Sequence, residues 1–465
     1  MHPEGGRRRE GLALAVIGLG TCAPAADSAV NAALPAIAGA FDVHPGAIRW
    51  VVIDYVLVYA CLMIVMGHFG DRRGHWRVFR WGLWSGLLAY ALCSLAPSYA
   101  WLLAGRILQG LSTALLLGVG PALAVEVCGE SRRTRALALY AAIAAGAAAL
   151  APLLAGWAIS VAGWSIVFTL RLPLVALALL LLAWSGAPDR QGPAHARPAS
   201  GHLSSAGTSA CDPDAGMPGR AHAEPPRAAP PRAAPSRAAP PRAAPSLVNA
   251  LKAHALPPLS GLHLVHAWAQ ACGFTSMLLT PFLLADVMQI GPTPLGAVLS
   301  LWPAGLALGN LLAPRLVTAT GERAATAVGL WVLVLGSLAL AYAALSPSLV
   351  PGPAHAGRSP YLLAAGLLVQ GVGLGLVQLS YTARVMQITG HGQEGVAGAA
   401  TLSSRTLGIL LAAFLWPWFV EEAVRSGMRW SEGLGALYAL GALSLGVAAL
   451  VQRAPPNTGN ARTSP

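Results

Sequence analysis

Gly67-His68-Phe69-Gly70-Asp71-Arg72-Arg73-Gly74-His75-Trp76-Arg77-Val78 decides the fold of this 465-residue chain. The run is short, charged and punctuated by glycine. An apolar segment of membrane-spanning length lies on each side of it. Gly70 and Gly74 permit a tight reversal that bulkier residues would obstruct. Asp71 sits among Arg72, Arg73 and Arg77, so its charge has partners at hand. The sequence therefore predicts two spans that turn back on each other through a cationic hairpin.

Composition points the same way. Only 10% of the residues are charged and 55% are hydrophobic, whereas soluble domains carry about 25% charged residues. A bilayer needs about 20 apolar residues per helix, and many such runs are present. Long apolar runs without strict alternation argue against a β-barrel. The class is an all-α, polytopic membrane protein with no soluble catalytic domain. The net charge of +12 does not point to nucleic acid, because the arginines cluster in loops between apolar spans. Six cysteines are scattered without a CxxC pair. Five lie in or beside apolar segments and read as small core residues, not as metal ligands or a disulfide framework. Arg7, Arg8 and Arg9 precede an apolar stretch that continues to about Ile37. A signal peptide would have a shorter apolar core and a cleavage site, so an uncleaved first span is expected.

Twelve helices are expected. Six lie near 11–37, 50–68, 78–96, 101–127, 136–160 and 164–184. Six more lie near 259–287, 294–315, 324–346, 360–387, 396–418 and 433–452. They divide the chain into a first bundle, 1–185, a linker, 186–257, and a second bundle with a short tail, 258–465. The linker is rich in Pro, Ala, Ser and Arg. Residues 225–244 repeat a five-residue unit four times: PPRAA, PPRAA, PSRAA, PPRAA. Such a segment cannot bury a core, so a disordered cytoplasmic linker is expected. The rival reading is a tether to anionic lipid or to a partner. Threading twelve spans from a cytoplasmic N-terminus puts most arginines on the cytoplasmic face. The other face holds Arg49, Arg358, Arg425 and Arg429. That bias predicts both termini in the cytoplasm.

The hairpin run closely resembles the loop between helices 2 and 3 of the major facilitator superfamily, roughly G-x-L-a-D-r-x-G-r-r-x-x. Gly67, Asp71, Arg72, Gly74 and Arg77 match it. Phe69 replaces the usual leucine, and His75 replaces a basic residue. Asp27-Ser28-Ala29-Val30-Asn31-Ala32-Ala33-Leu34-Pro35 resembles the first-helix signature of drug:proton antiporters, with Asp27 four residues before Asn31 where the family has five. One residue on a helix is about 100° of rotation. Leu102 to Gly110 resembles the fourth-helix motif, with Arg106, Gln109 and Gly110 in register. Gly146 to Gly156 resembles part of the fifth-helix motif, where Pro152 and Gly156 match while Ala151 and Ala155 replace glycines. Gly163-Trp164, Phe168 and Leu172-Pro173 resemble the sixth-helix segment. Arg405 and Gly408 resemble the eleventh-helix segment.

Charges inside spans are costly and usually mark function. Asp27 lies in the outward half of the first helix, and Asp54 about one turn into the second. A buried guanidinium such as Arg106 needs an anionic partner. The resemblance implies proton coupling through Arg106 and the first-span carboxylate Asp27. Asp54 matches no family position; its place in the span makes it a second candidate for proton coupling, or an interfacial residue reaching headgroups. It implies a gate and loop motif at Gly67, Asp71, Arg72, Gly74, Arg77 and Arg405, with Asp71 able to pair with Arg405. It implies a substrate cavity that includes Asn31, Gln109, Gly110, Pro152 and Gly156, to which Arg171 is added from its own place in the span. Arg171 stands where the family has a neutral polar residue, able to bind an anion or to pair with Asp27 or Asp54. Nothing resembles a phosphate loop, a haem site, a zinc cluster or a hydrolase triad, so neither a cofactor nor an enzyme activity is expected. The implied function is proton-coupled export of small amphipathic compounds or drugs by a monomer in the inner membrane. The alternatives are a metabolite or sugar exporter, and a transport-dead sensor with the same fold.

Overall fold

The computed structural model describes residues 3–44, 46–185, 259–346, 359–389 and 394–453. The expected linker, 186–257, lies outside them. Helices occupy all twelve expected positions, as α1 (Pro3–Ala25), α2 (Ser28–Phe41), α3 (Trp50–Arg73), α4 (His75–Ser94), α5 (Tyr99–Cys128), α6 (Arg133–Ala162), α7 (Ile166–Thr169), α8 (Arg171–Ser185), α9 (Leu259–Phe282), α10 (Pro292–Thr320), α11 (Glu322–Leu345), α12 (Ser359–Thr389), α13 (Glu394–Arg425) and α14 (Trp430–Arg453). Among the described residues, ten helices are long and apolar enough to cross a membrane, or eleven when the bent α3 counts as one span. The helix α4 is not among them. It carries His75, Arg77 and Arg80 in its first turns.

Two expectations need correction. The first span crosses as one, Glu10–Phe41, but it is not a single regular helix over 11–37. A turn at Ala26 and Asp27 separates α1 from α2, two residues after Pro24 at the end of α1. The hairpin also differs. The helix α3 runs on through Gly70, Asp71, Arg72 and Arg73, so the reversal falls on Gly74 alone. Gly74 takes φ +91°, a value that favours glycine. Gly70 is instead a packing residue, since a Cβ there would overlap the Val119 side chain of α5.

Within each half the helices pack on close neighbours. The helix α5 lies against α3 and α4, while α12 lies against α10 and α11. Lipid offers no hydrophobic drive between helices, so small residues that let backbones touch carry the association. Gly305 and Gly309 of α10 face Gly371 and Gly375 of α12, and a Cβ at Gly305 or Gly371 would overlap a carbonyl of the other helix. The halves meet chiefly through α6 and α10, with smaller contacts of α2 with α9 and of α3 with α13. Several of these contacts gather at the end that holds the first loop, residues 42–49. Trp50 meets Phe414 edge to face at 5.8 Å. Thr293 Oγ1 donates to Ser160 Oγ at 3.1 Å. A Cβ at Gly156 would overlap the Pro292 carbonyl.

Candidate functional site

The break in the first span creates the site. Asp27 sits at the break, and its side chain does not cap α2. The carboxylate is therefore turned to its neighbours. Arg106 grips it with both terminal nitrogens, Nη1 to Oδ1 at 2.7 Å and Nη2 to Oδ2 at 3.0 Å. Gln109 Nε2 donates to Oδ1 at 2.9 Å. Arg171 Nη1 donates to the same oxygen at 3.0 Å. Forked guanidinium–carboxylate pairs of this kind are among the stronger protein hydrogen bonds.

The two cations are held from behind. Arg106 Nε donates to the Val51 carbonyl at 2.7 Å, and Nη1 donates to Gln109 Oε1 at 2.9 Å. Its guanidinium carbon lies 4.3 Å from the centre of the Tyr55 ring. Arg171 Nη2 donates to the Ala26 carbonyl at 2.9 Å. The rings of Tyr90 and Phe168 stand near its guanidinium, at 5.4 and 5.8 Å. Arg171 Nε is buried with no hydrogen-bond partner among the described residues. The Arg106 side chain is fully buried while that of Asp27 keeps 18% exposure. Asp27 is thus the most exposed of the three charged members of a buried ionic cluster, and removing either sign leaves a desolvated charge behind.

Asp54 belongs to the same end of α3. It is half-buried and feels the charge of Arg106. Among the described residues it has neither an ion pair nor a hydrogen bond. Arg171 pairs with Asp27 and not with Asp54. Asn31 is buried on α2. Gln109 is fully buried and serves the ionic cluster directly. Gly110 lets α5 approach α3, because a Cβ there would lie 2.8 Å from the Tyr55 carbonyl. Pro152 and Gly156 lie in the seam between the halves, against Gly296 of α10. That placement puts them in contact with protein rather than facing an open cavity.

The hairpin holds a second charged group. Asp71 does not pair with Arg405 as anticipated. Its Oδ1 lies 3.1 Å from His75 Nε2. The other ring nitrogen of His75 lies 3.5 Å from Glu126 Oε2 on α5. Carboxylates on both sides favour the doubly protonated ring. The contact with Glu126, then that with Asp71, raises the His75 pKa above its ordinary 6.5 against the opposing effect of burial. Arg405 stands elsewhere, acting on Tyr59 and His266.

One polar group in the second half escaped the sequence reading. His266 Nδ1 lies 2.8 Å from Ser404 Oγ, and its Nε2 lies 3.2 Å from Gln270 Nε2. Its ring stacks on Tyr381 at 3.9 Å. Tyr381 reaches Ser404 at 3.0 Å and also meets His263. The amide nitrogen of Gln270 can only donate, so His266 Nε2 accepts and Nδ1 carries the hydrogen. The signal in the sequence was two histidines three residues apart in an otherwise apolar span.

Helices of this number and packing, wrapped around buried intramembrane charges, define a polytopic transporter. The sequence profile of the Major Facilitator Superfamily matches residues 16–413. The chain belongs to that superfamily, whose members are transporters of small molecules and not enzymes. It is 28% identical over 423 residues to the drug efflux pump JefA of Mycobacterium tuberculosis, covering 88% of this chain and 80% of that one. It is 34% identical over 183 residues to the methylenomycin A resistance protein of Streptomyces coelicolor, but that match spans only 38% of each chain. A match of 31% identity to the methyl viologen resistance protein SmvA of Salmonella typhimurium covers 38% of this chain and 36% of that one. The nucleoside transporter NupG shares the fold with a TM-score of 0.69 at 11% identity, over 96% of this chain and 98% of that one. A bacterial homologue of the lysosomal transporter Spinster, seen facing inward, gives 0.61 at 15% identity, over 97% of this chain and 95% of that one.

Proposed function

We propose that the chain is a proton-coupled secondary transporter that exports small amphipathic compounds by alternating access. It works as a monomer in the inner membrane with both termini in the cytoplasm. Residues 1–185 and 258–465 act as the two rocking bundles, and 186–257 is a solvated linker between them. The carrying observation is the Asp27–Arg106 contact. It joins the acidic residue of the first span to the arginine of the fourth-helix motif in one buried cluster. The efflux and resistance names of the relatives support the export direction.

In this reading the first-loop end is the outer end, where the halves are already in contact. Asp27 holds two guanidiniums and takes up a proton only when they withdraw, since protonation forfeits their hydrogen bonds. Asp54 has no such ties. It accepts a proton from outside and weakens the field on Arg106. Rocking of the halves then loosens the cluster and passes the proton inward. The substrate enters between the halves from the inner side, and the hairpin with Asp71 and His75 helps set the inner closure.

The test uses purified protein in liposomes loaded with a pH-sensing dye. Compounds from an antibiotic and biocide panel are applied on the inner-facing side. A compound-dependent proton flux that vanishes in Asp27→Asn and shrinks in Asp54→Asn supports the proposal. No proton-coupled flux for any compound favours a transport-dead sensor.

A further inference from the structure

Two buried polar atoms beside Asp27 have no hydrogen-bond partner among the described residues. They are Arg171 Nε and the hydroxyl of Tyr90. Both side chains are almost wholly enclosed, Arg171 at 2% exposure and Tyr90 at 0%. They stand on α8 and α4, which pack on each other. The Tyr90 ring centre lies 5.4 Å from the guanidinium carbon, and its hydroxyl feels the guanidinium as a nearby donor. No bond of ordinary geometry joins them. The cause lies at the other end of the arginine. Nη1 is tied to Asp27 and Nη2 to the Ala26 carbonyl, so the fork is turned towards the first span.

Buried groups without a partner are rare, and each costs free energy. A donor and an acceptor left unpaired side by side fit a cluster with two arrangements, of which this is one. The other polar groups around the cluster are engaged. Arg106 repels Arg171. Gln109 Oε1 already accepts from Arg106. The Cys93 thiol is turned to the Leu102 carbonyl. The Tyr55 hydroxyl accepts from Thr113, and its ring lies under Arg106. Tyr59 is hydrogen-bonded to Thr406, and Asp54 feels Arg106.

We propose that Tyr90 is the second berth of Arg171: when Asp27 takes up a proton, the guanidinium leaves the carboxyl and donates through Nε to the Tyr90 hydroxyl. The inference rests on Asp27 as the proton-carrying group, as proposed above, and adds the residue that lets its second cation go. Without the berth, a released Arg171 is a buried cation with its donors unmet. With it, one of the lost hydrogen bonds is replaced. Tyr90 is a positioning residue, acting on the proton only through Arg171.

Proton binding is read on the full chain in lipid nanodiscs by infrared difference spectroscopy, as the protonated-carboxyl band that is lost in Asp27→Asn. Tyr90→Phe keeps the ring and deletes only the hydroxyl. Half-protonation should then need about tenfold more protons, a shift of about one pH unit to acid, the low end for a hydrogen bond to a charged group. Thermal stability at neutral pH should equal or exceed that of wild type, because the deleted hydroxyl has no partner in the resting arrangement. A role in resting packing alone gives the reverse pair, a lower melting temperature and an unmoved midpoint. In an Arg171→Gln background Tyr90→Phe should move the midpoint no further. Tyr140→Phe, which deletes the other buried tyrosine hydroxyl without a partner among the described residues, should leave it in place. An unmoved midpoint in Tyr90→Phe overturns the proposal, as does a Tyr90→Phe protein that melts well below wild type or does not fold. So does a shift that persists in Arg171→Gln or appears in Tyr140→Phe, or the lack of any band that depends on Asp27. Absence of substrate-driven proton flux beside an intact Tyr90 shift would strike the transport reading and leave this inference standing.

Discussion

Asp27→Asn is the sharpest test of the ionic cluster. The carboxylate accepts four hydrogen bonds, two from Arg106 and one each from Gln109 and Arg171. An asparagine keeps a single acceptor oxygen and turns an N–H₂ group towards a guanidinium. Two buried cations then lose their counter-ion. Breaking a buried pair from one side costs about 3–5 kcal/mol. The 18% exposure of Asp27 lets water reach the site, so the low end, about 3 kcal/mol, is expected. Thermal unfolding in detergent reads this directly. Arg171→Gln should also destabilise, and the Asp27→Asn/Arg171→Gln double variant should lose less than the sum of the two. A coupling of about 1 kcal/mol or more is expected for groups in direct contact. Proton-driven flux in proteoliposomes should vanish in Asp27→Asn while ligand binding stays measurable. An Asp27→Asn protein as stable as wild type, with full pH-dependent transport, would refute both the energetic and the coupling argument.

Other outcomes follow from the same geometry. Asp54→Asn should leave thermal stability within about 0.5 kcal/mol of wild type, since no hydrogen bond is lost, while flattening the pH dependence of flux. At the hairpin, the raised His75 pKa means that its contacts stabilise the fold fully below the ordinary value. They are lost as pH rises through the folded value. Melting temperature should therefore fall on going from acid to alkaline buffer, and His75→Gln should remove that component. Asp71→Asn should weaken it, with turnover slowed more than ligand affinity. Gly156→Leu places a side chain where the Pro292 carbonyl already sits. It should keep the halves apart at the first-loop end, read as faster thiol labelling of a Thr293→Cys reporter in a cysteine-free chain. Deletion of residues 200–246 should leave folding and flux nearly intact. Loss of both with normal membrane insertion would make the segment structural.

Much of the fold was legible because bilayer physics leaves few options. Apolar runs of span length, separated by arginine-rich turns, admit only helices here. The hairpin sequence gave the superfamily, and the expected helix positions are all occupied. Helix ends were less legible. The charged residues Asp71, Arg72 and Arg73 looked like a loop, yet they continue α3 because nothing before Gly74 forces φ out of the helical range. Charge marks the membrane boundary and not the end of the helix.

The site was half legible, for a definable reason. Counting residues along an ideal helix put Asp27 one position out of register, or about 100° away from the expected face. That arithmetic holds only if the helix is continuous. A turn at Ala26 and Asp27 interrupts the regular helix, so counting by the ideal period misplaces Asp27. The pairing of Asp27 with Arg106 follows from chemistry, because a buried guanidinium must find an anion. The sequence leaves Arg171 able to pair with Asp27 or Asp54 or to bind an anion, and no motif chooses among these. Arg171 stands in α8, 144 residues from Asp27, and only the packing of the first bundle brings them together. A second cation on one carboxylate also changes what the site asks of a proton. Release of Asp27 now requires two helices, α5 and α8, to give way. A motion of α5 alone would leave Asp27 tied to Arg171, so coupling here needs a bundle-wide step. Arg171→Gln, which removes that second tie, should accordingly let Asp27 exchange its proton at a smaller opening. It should produce proton leak without substrate, measured as a dye response in empty proteoliposomes. A tight Arg171→Gln protein with normal coupling would mean that Arg106 alone governs the carboxylate.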